Sequence, residues 1–206
     1  DLRTPLAILK GYVETLQMKD GDLAEEEKER YLQIINQSSD KLSRLISQLF
    51  EYSKLEAQQV KLEKEPFSIC DLAADLVANY KLLAKQKGIK IAFDAGIKVP
   101  LVFADISLVE RAIQNLMDNA LKFTPENGTV SLKIKSNDKM VSIVVSDTGR
   151  GIKREDQEKL FERYRQAKKG DKLEGAGLGL AIVKKIMELH DTSIELVSKP
   201  NEGSSF

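Results

Sequence analysis

The chain has 206 residues, with Lys+Arg 32 balanced by Asp+Glu 32, so no net field selects nucleic acid or an acidic membrane surface as a partner. Its one cysteine, Cys70, excludes an internal disulfide, and a reducing cytoplasmic setting is the expectation. No apolar run reaches the roughly 20 residues of a membrane span, and no leader pattern is read; any membrane anchorage is expected in segments upstream.

From residue 1 to about 19, Leu2, Leu6, Leu9, Val13 and Leu16 recur at spacings of four and three, the seam of a helix in a bundle. Lys19-Asp20-Gly21-Asp22 breaks it. A second helix is predicted from about Ala24 to Ala57, with Ile35, Leu42, Ile46 and Leu49 on one stripe and Tyr31, Ile34, Leu45 and Tyr52 widening it. Two helices in an αα-hairpin cannot cover so wide a stripe, so a second copy is predicted to complete a four-helix bundle as a homodimer. The second helix runs about 50 Å and the first only about 28 Å, so the first is expected to begin upstream of Asp1.

Lys61 to Phe67 reads as a short strand, and Glu65-Pro66 marks entry into a new unit. The boundary is placed near residue 60, dividing the chain into 1–59 and 60–206. Ser68 or Asp71 is predicted to cap a helix ending near Gly88, with Leu72, Leu76 and Leu83 buried. Ile89 to Phe93 and Leu101 to Phe103 read as strands, and Asp105 to Phe123 as a helix stopped by Thr124-Pro125. Two alternating strands follow, Thr129 to Lys135 and Met140 to Ser146, and then an apolar helix from Leu180 to Leu189 and a strand from Ser193 to Ser198. The order predicts an α+β fold, a sandwich with helices on one face of a mixed sheet, after the helical hairpin.

Chemistry concentrates between Asp147 and Leu180. Asp147-Thr148-Gly149-Arg150-Gly151-Ile152 and Gly175-Ala176-Gly177-Leu178-Gly179-Leu180 are two glycine-rich turns that let backbone approach a ligand. The second opens a helix whose N–H groups and dipole favour an anion. Neither is a P-loop, because Ala176-Gly177 stands where Lys-Ser/Thr is needed, nor a dinucleotide fingerprint, because no buried strand precedes Gly175. Asn115, Asn119 and Lys122 recur at i, i+4 and i+7 and so share one helix face. Read alone, that face is either an ordinary solvated flank or a holder for Mg²⁺ and a triphosphate. Asp147 alone is either a turn former or an acceptor for an exocyclic amine. His190 reads as a surface or capping residue at the end of the last helix.

These motifs together resemble the sensor histidine kinases of the GHKL superfamily over the whole chain. The resemblance rests on Asp1-Leu2-Arg3-Thr4-Pro5-Leu6, on Asn115 through Thr124, on the two glycine boxes, on Leu160-Phe161-Glu162-Arg163 and on the closing Gly203-Ser204-Ser205-Phe206. It implies ATP and Mg²⁺ as cofactors, with Asn115 and Asn119 as the Mg²⁺ ligands and Lys122 as a phosphate contact. Phe123 and Ile152 would line the adenosine pocket, Asp147 would accept from the adenine amine, and Gly149 and Gly151 would let the backbone pass the base. Phe161, Arg163, Gly175, Gly177, Leu178, Gly179, Leu180 and Ser204 complete the implied ATP-binding set, with Glu162 to Glu174 as a basic lid. The acceptor histidine is expected immediately before Asp1, with Asp1 orienting it and Thr4 serving a phosphatase step. A response-regulator receiver domain is the implied partner. Two rivals remain: a dimeric ATP-binding scaffold without phosphotransfer, and a chaperone- or topoisomerase-like ATPase, in which a glutamate base would stand where Asn115 does.

Overall fold

The computed structural model describes residues 2–19, 23–57, 59–96, 98–137, 140–162 and 177–206. Among the described residues no helix is long and apolar enough to cross a membrane. The hairpin is formed by α1 (Arg3–Met18) against α2 (Glu25–Glu56). The rings of Tyr12 and Tyr31 meet between the two helices at 5.1 Å. Pro5 lies in the first turn of α1, where a missing N–H removes no helical bond. Glu25, Glu26 and Glu27 fill the first turn of α2 and complement its positive end.

The hairpin has two apolar faces. Leu6 (57% exposed), Val13, Ile46 and Leu49 stay open to solvent in the single chain. Leu45, Tyr52 and Leu55, at i, i+7 and i+10, are instead buried in the same core as the α/β unit. This corrects the expectation that Leu45 and Tyr52 widen the hairpin stripe. Periodicity registers a wide apolar surface but cannot divide it between two partners. Beside this face the Arg111 guanidinium donates three hydrogen bonds to the Glu51 carboxylate, Nε to its two oxygens at 2.9 and 3.0 Å and Nη2 at 2.7 Å. That bond, with the charge of Glu51, raises the Arg111 pKa against the opposing effect of burial.

In the α/β unit, β1 (Glu65–Phe67) pairs antiparallel with β3 (Val102–Ala104). A five-stranded sheet has the order β2-β4-β5-β7-β6. Here β2 (Lys90–Ala95) runs parallel to β4 (Thr129–Ser136), while β5 (Val141–Asp147), β7 (Gly203–Ser205) and β6 (Val197–Lys199) continue antiparallel. The sheet is therefore mixed. α3 (Ile69–Gln86) and α4 (Ile106–Phe123) cover one face, and α6 (Gly179–Leu189) packs between α4 and α2. Val130, Leu132 and Ile134 on β4 and Val145 on β5 are the sheet's fully buried contribution to the core.

Caps explain the helix limits. Ser68 Oγ accepts from the Asp71 N–H at 3.3 Å to start α3, and Gly88 (φ +64°) ends it with the Ile89 N–H returning to the Ala84 carbonyl. Asp105 caps α4 through Leu108 N–H at 3.1 Å, and its other oxygen accepts from Glu63 N–H at 3.1 Å. Three expectations are corrected, and two elements are new. The first strand is only Glu65–Phe67, and Leu83 is exposed because Ala73, Leu76, Val77 and Ala84 make the buried stripe of α3. The strand expected at 193–198 is Val197–Lys199. A one-turn helix, α5 (Arg154–Gln157), and the strand β7 were not anticipated; β7 is Gly-Ser-Ser, weak strand formers held by pairing with Ser146 and Asp147.

Leu55 is 2% exposed, so Leu55→Ala is expected to lower the unfolding free energy by about 2–5 kcal/mol. Leu82→Ala, at a position 67% exposed, should change it by less than about 0.5 kcal/mol in the same denaturant titration.

Candidate functional site

Asn115 is only 5% exposed, which rules out the solvated-flank reading for that residue. Its Nδ2 donates to the Arg111 carbonyl one turn back, at 3.0 Å. Oδ1 is therefore the atom turned toward the start of α6. A β-carbon at Gly179 would stand 3.2 Å from Asn115 Oδ1 and 3.8 Å from Asn119 Nδ2, so a side chain at position 179 would press the asparagine oxygen by a few tenths of an ångström. Leu178 begins α6 without a side-chain cap, and its carbonyl takes the first helical bond from Ile182 at 2.9 Å. The N–H groups of Gly179, Leu180 and Ala181 thus lack helical acceptors beside the asparagines. An oxygen ligand and orphan N–H groups together suit a hard cation carrying phosphate. Among the described residues no cluster of three His, Cys, Asp or Glu could hold a metal alone, so a metal here would need asparagine and phosphate oxygens.

The C-terminal end of α4 meets the first glycine turn. A β-carbon at Gly149 would run into the Phe123 carbonyl, and Asp147, the last residue of β5, stands beside it. The Asp147 carboxylate accepts from the Gly149 N–H at 2.8 Å. Burial pushes its pKa up, and the backbone N–H groups of Gly149 and Ser204 partly oppose that. Opposite Asp147 across the strand pair lies Ser204, itself 8% exposed. Ile152 is half-buried and donates its N–H to Ser198 Oγ at 2.9 Å, while Gly151 lies against the carbonyl of Lys199.

Lys122 Nζ lies 5.1 Å and the Arg150 guanidinium 4.7 Å from the centroid of the Phe123 ring. That ring borders an open cleft of about 420 Å³ with Pro125, Thr148 and Asn201, which Asn115, Asn119 and Asp147 do not line. Phe161 packs edge-on against Phe206 at 6.5 Å. Leu178 is buried and Leu180 half-buried under α6, while Gly177 has φ +67°. Thr4 is exposed on α1, outside the constellation of α4, β5 and α6. Asp1, Arg163, Gly175 and the lid segment 163–174 lie outside the described residues.

Several contributors carried no signal in the sequence. Ser198 and Asn201 bond to the first glycine turn from 46 and 51 residues away, and Gln157 from a helix too short to register. His190 proves to be a double cap. The Asp105 N–H can only donate, so Nε2 accepts at 3.0 Å, and Nδ1–H donates to the Ile186 carbonyl at 2.8 Å.

The phospho-acceptor domain model of histidine kinase A matches residues 1–58, and the model of histidine kinase-, DNA gyrase B- and HSP90-like ATPases matches residues 104–206. An adaptive-response sensory kinase SasA of Crocosphaera subtropica is 35% identical over all of this chain and 55% of that protein. Drug sensory protein A of Synechocystis is 34% identical over all of this chain and 33% of that protein. The chain thus spans about half or less of these two relatives. Among solved structures, full-length ShkA in complex with AMPPNP superposes with a TM-score of 0.77 at 25% identity, covering 98% of this chain and 44% of that one. Histidine kinase ThkA in complex with response regulator protein TrrA has the same fold, with a TM-score of 0.80 at 24% identity, covering 100% and 57%. With a phospho-acceptor model followed by an ATPase model along one chain, and both fitting the hairpin and the sandwich, the protein belongs to the sensor histidine kinases.

Proposed function

We propose that the chain is the catalytic core of a two-component histidine kinase, with 1–59 as dimerisation and phosphotransfer hairpin and 60–206 as the ATP-binding unit. The observation that carries this reading is α4 touching both glycine turns, Asn115 and Asn119 against Gly179 and Phe123 against Gly149. Eight residues of helix separate those contacts, about 12 Å, enough to lay a nucleoside triphosphate with its base toward Asp147 and its phosphates toward α6. Asn115 and Asn119 would hold the metal, Lys122 and Arg163 would meet phosphate oxygens, and the uncapped N–H groups of α6 would take the remaining charge. Phe161 and Ser204 would brace the adenine end, and Gly175, Gly177 and Leu178 the phosphate end. Mg²⁺, when bound, neutralises the charge that develops on the phosphates.

Transfer forms a bond from an imidazole nitrogen to the γ-phosphorus, breaks its bond to the bridging oxygen and releases ADP, while the ring proton leaves to solvent. The acceptor would be a histidine immediately before Asp1, with Asp1 orienting the ring. Thr4, one turn further, would place the water of a phosphatase step, which attacks the phosphorus of a phospho-aspartyl partner and releases inorganic phosphate and the free carboxylate. The onward acceptor would be an aspartate on a response-regulator receiver domain. The setting would be cytoplasmic, with any membrane anchor supplied by other segments. The exposed stripe of Leu6, Val13, Ile46 and Leu49 fits a second copy of the hairpin.

Incubating the upstream-extended protein with γ-labelled ATP is expected to leave acid-labile, base-stable label on the hairpin. Nucleotide binding with no such label would leave a non-catalytic scaffold instead. Leu6→Glu or Leu49→Glu should halve the sedimenting mass, whereas a wild-type chain that already sediments as one copy removes the dimer.

Asp147 accepts from the adenine amine most strongly when ionised, and burial raises its pKa. ATP affinity should therefore fall as pH descends through the carboxylate range, starting at a higher pH than for an ordinary aspartate. For an acid raised by folding, the charged form opposes folding above that pKa. Asp147→Asn should thus lose ATP binding and its pH dependence while its Tm stays equal or rises. A Tm well below wild type, or ATP affinity unchanged, would contradict this assignment.

A further inference from the structure

The turn that carries Asp147 is shaped from outside its own motif. Gln157 Nε2 donates to the Ile152 carbonyl at 2.8 Å and to the Ser198 carbonyl at 3.0 Å, using both amide hydrogens. Ser198 Oγ accepts from the Ile152 N–H at 2.9 Å and donates to the Gly203 carbonyl at 2.9 Å, with Ser204 Oγ at 3.1 Å. The Asn201 N–H donates to the Arg150 carbonyl at 2.7 Å. The turn is thus pinned on one flank by α5 and on the other by the β6–β7 hairpin, and the same hairpin supplies the Ser204 N–H that bears on the Asp147 carboxylate. Both Gln157 and Ser198 are half-buried, so the carbonyls and N–H they serve have limited access to replacement water.

We propose that Gln157 and Ser198 are positioning residues that set the site's preference for adenine over guanine, by fixing the angle at which Asp147 meets the base. The proposal rests on the reading of Asp147 as the adenine contact. A carboxylate accepts from the amine of adenine but opposes the carbonyl oxygen that guanine carries there, so discrimination depends on where that carboxylate points. Losing either clamp frees the Ile152 end of the turn while the core beneath β5 stays intact. The consequence is a loss of selectivity rather than of folding.

The test measures ATP and GTP dissociation constants for the 206-residue chain, for Gln157→Glu, Gln157→Ala, Ser198→Ala and Ser198→Thr, and for Asp147→Asn as the reference, with thermal denaturation alongside. Gln157→Glu turns an acceptor against two carbonyls, and Gln157→Ala serves should that variant fail to fold. The expected result is an ATP constant weakened about tenfold in Gln157→Glu and Ser198→Ala, a GTP constant within about twofold of wild type, and near wild-type selectivity in Ser198→Thr, which keeps the hydroxyl. A merely structural role would weaken both nucleotides together. If Asp147→Asn loses the preference for ATP while Gln157 and Ser198 variants keep it, this inference falls and the adenine assignment stands. If the wild-type chain itself shows no preference, the adenine assignment falls and takes the inference with it.

Discussion

A buried amide facing a helix that begins without a side chain is the constraint from which the site follows. Asn115 is inside the protein, not on its surface, and its amide hydrogen is held by the Arg111 carbonyl. Burying such a group without partners would cost a few kcal/mol. Here the partners also orient it, so its oxygen faces the first turn of α6 at a spacing that a side chain at 179 would crowd. The pairing of α4 with α6 is therefore at once a packing contact and the geometry on which the proposed cation and phosphate site rests.

The same helix joins the site to the hairpin. Arg111 uses its guanidinium on Glu51 of α2 and its carbonyl on Asn115, and Tyr80 of α3 donates its hydroxyl to Asp118 at 2.7 Å on the far flank of α4. Burial, followed by that bond to Asp118, holds the Tyr80 phenol above its ordinary pKa. The Arg111 and Glu51 side chains are 33% and 24% exposed, so solvent screens the pair and its contribution stays near the upper end of surface values, about 1 kcal/mol. Orientation is its larger effect: the bidentate fork fixes the rotation of α2 relative to the helix that bears the asparagines.

Local rules made much of this visible in advance. Ser68, Gly88, Asp105 and Thr124-Pro125 delimit α3 and α4 through caps and breakers that act within a few residues, and alternation in 129–136 and 141–147 marks the central hairpin. The family motifs named Asn115, Asn119 and Asp147, and the structure brings α4 against both glycine turns. What stayed hidden acts across long stretches of chain. Whether Asn115 faced water or α6 depended on a glycine 64 positions away, and Gln157 and Ser198 serve Ile152 through backbone groups that no side-chain pattern records. Leu45 and Tyr52 were misassigned for a related reason, since an apolar stripe does not name its partner.

The imidazole of His190 pins the C-terminal end of α6 to the N-terminal end of α4, through the Ile186 carbonyl on one side and the Asp105 N–H on the other. α6 therefore runs back along α4, tied by the histidine at one end and packed into the core at the other through Leu178 and Ala181. A helix of eleven residues is about 16 Å long, so a difference of about 4° in its direction at His190 would displace Gly179 by about 1 Å. The histidine at one end of the helix pair therefore bears on the spacing between Gly179 and Asn115 at the other.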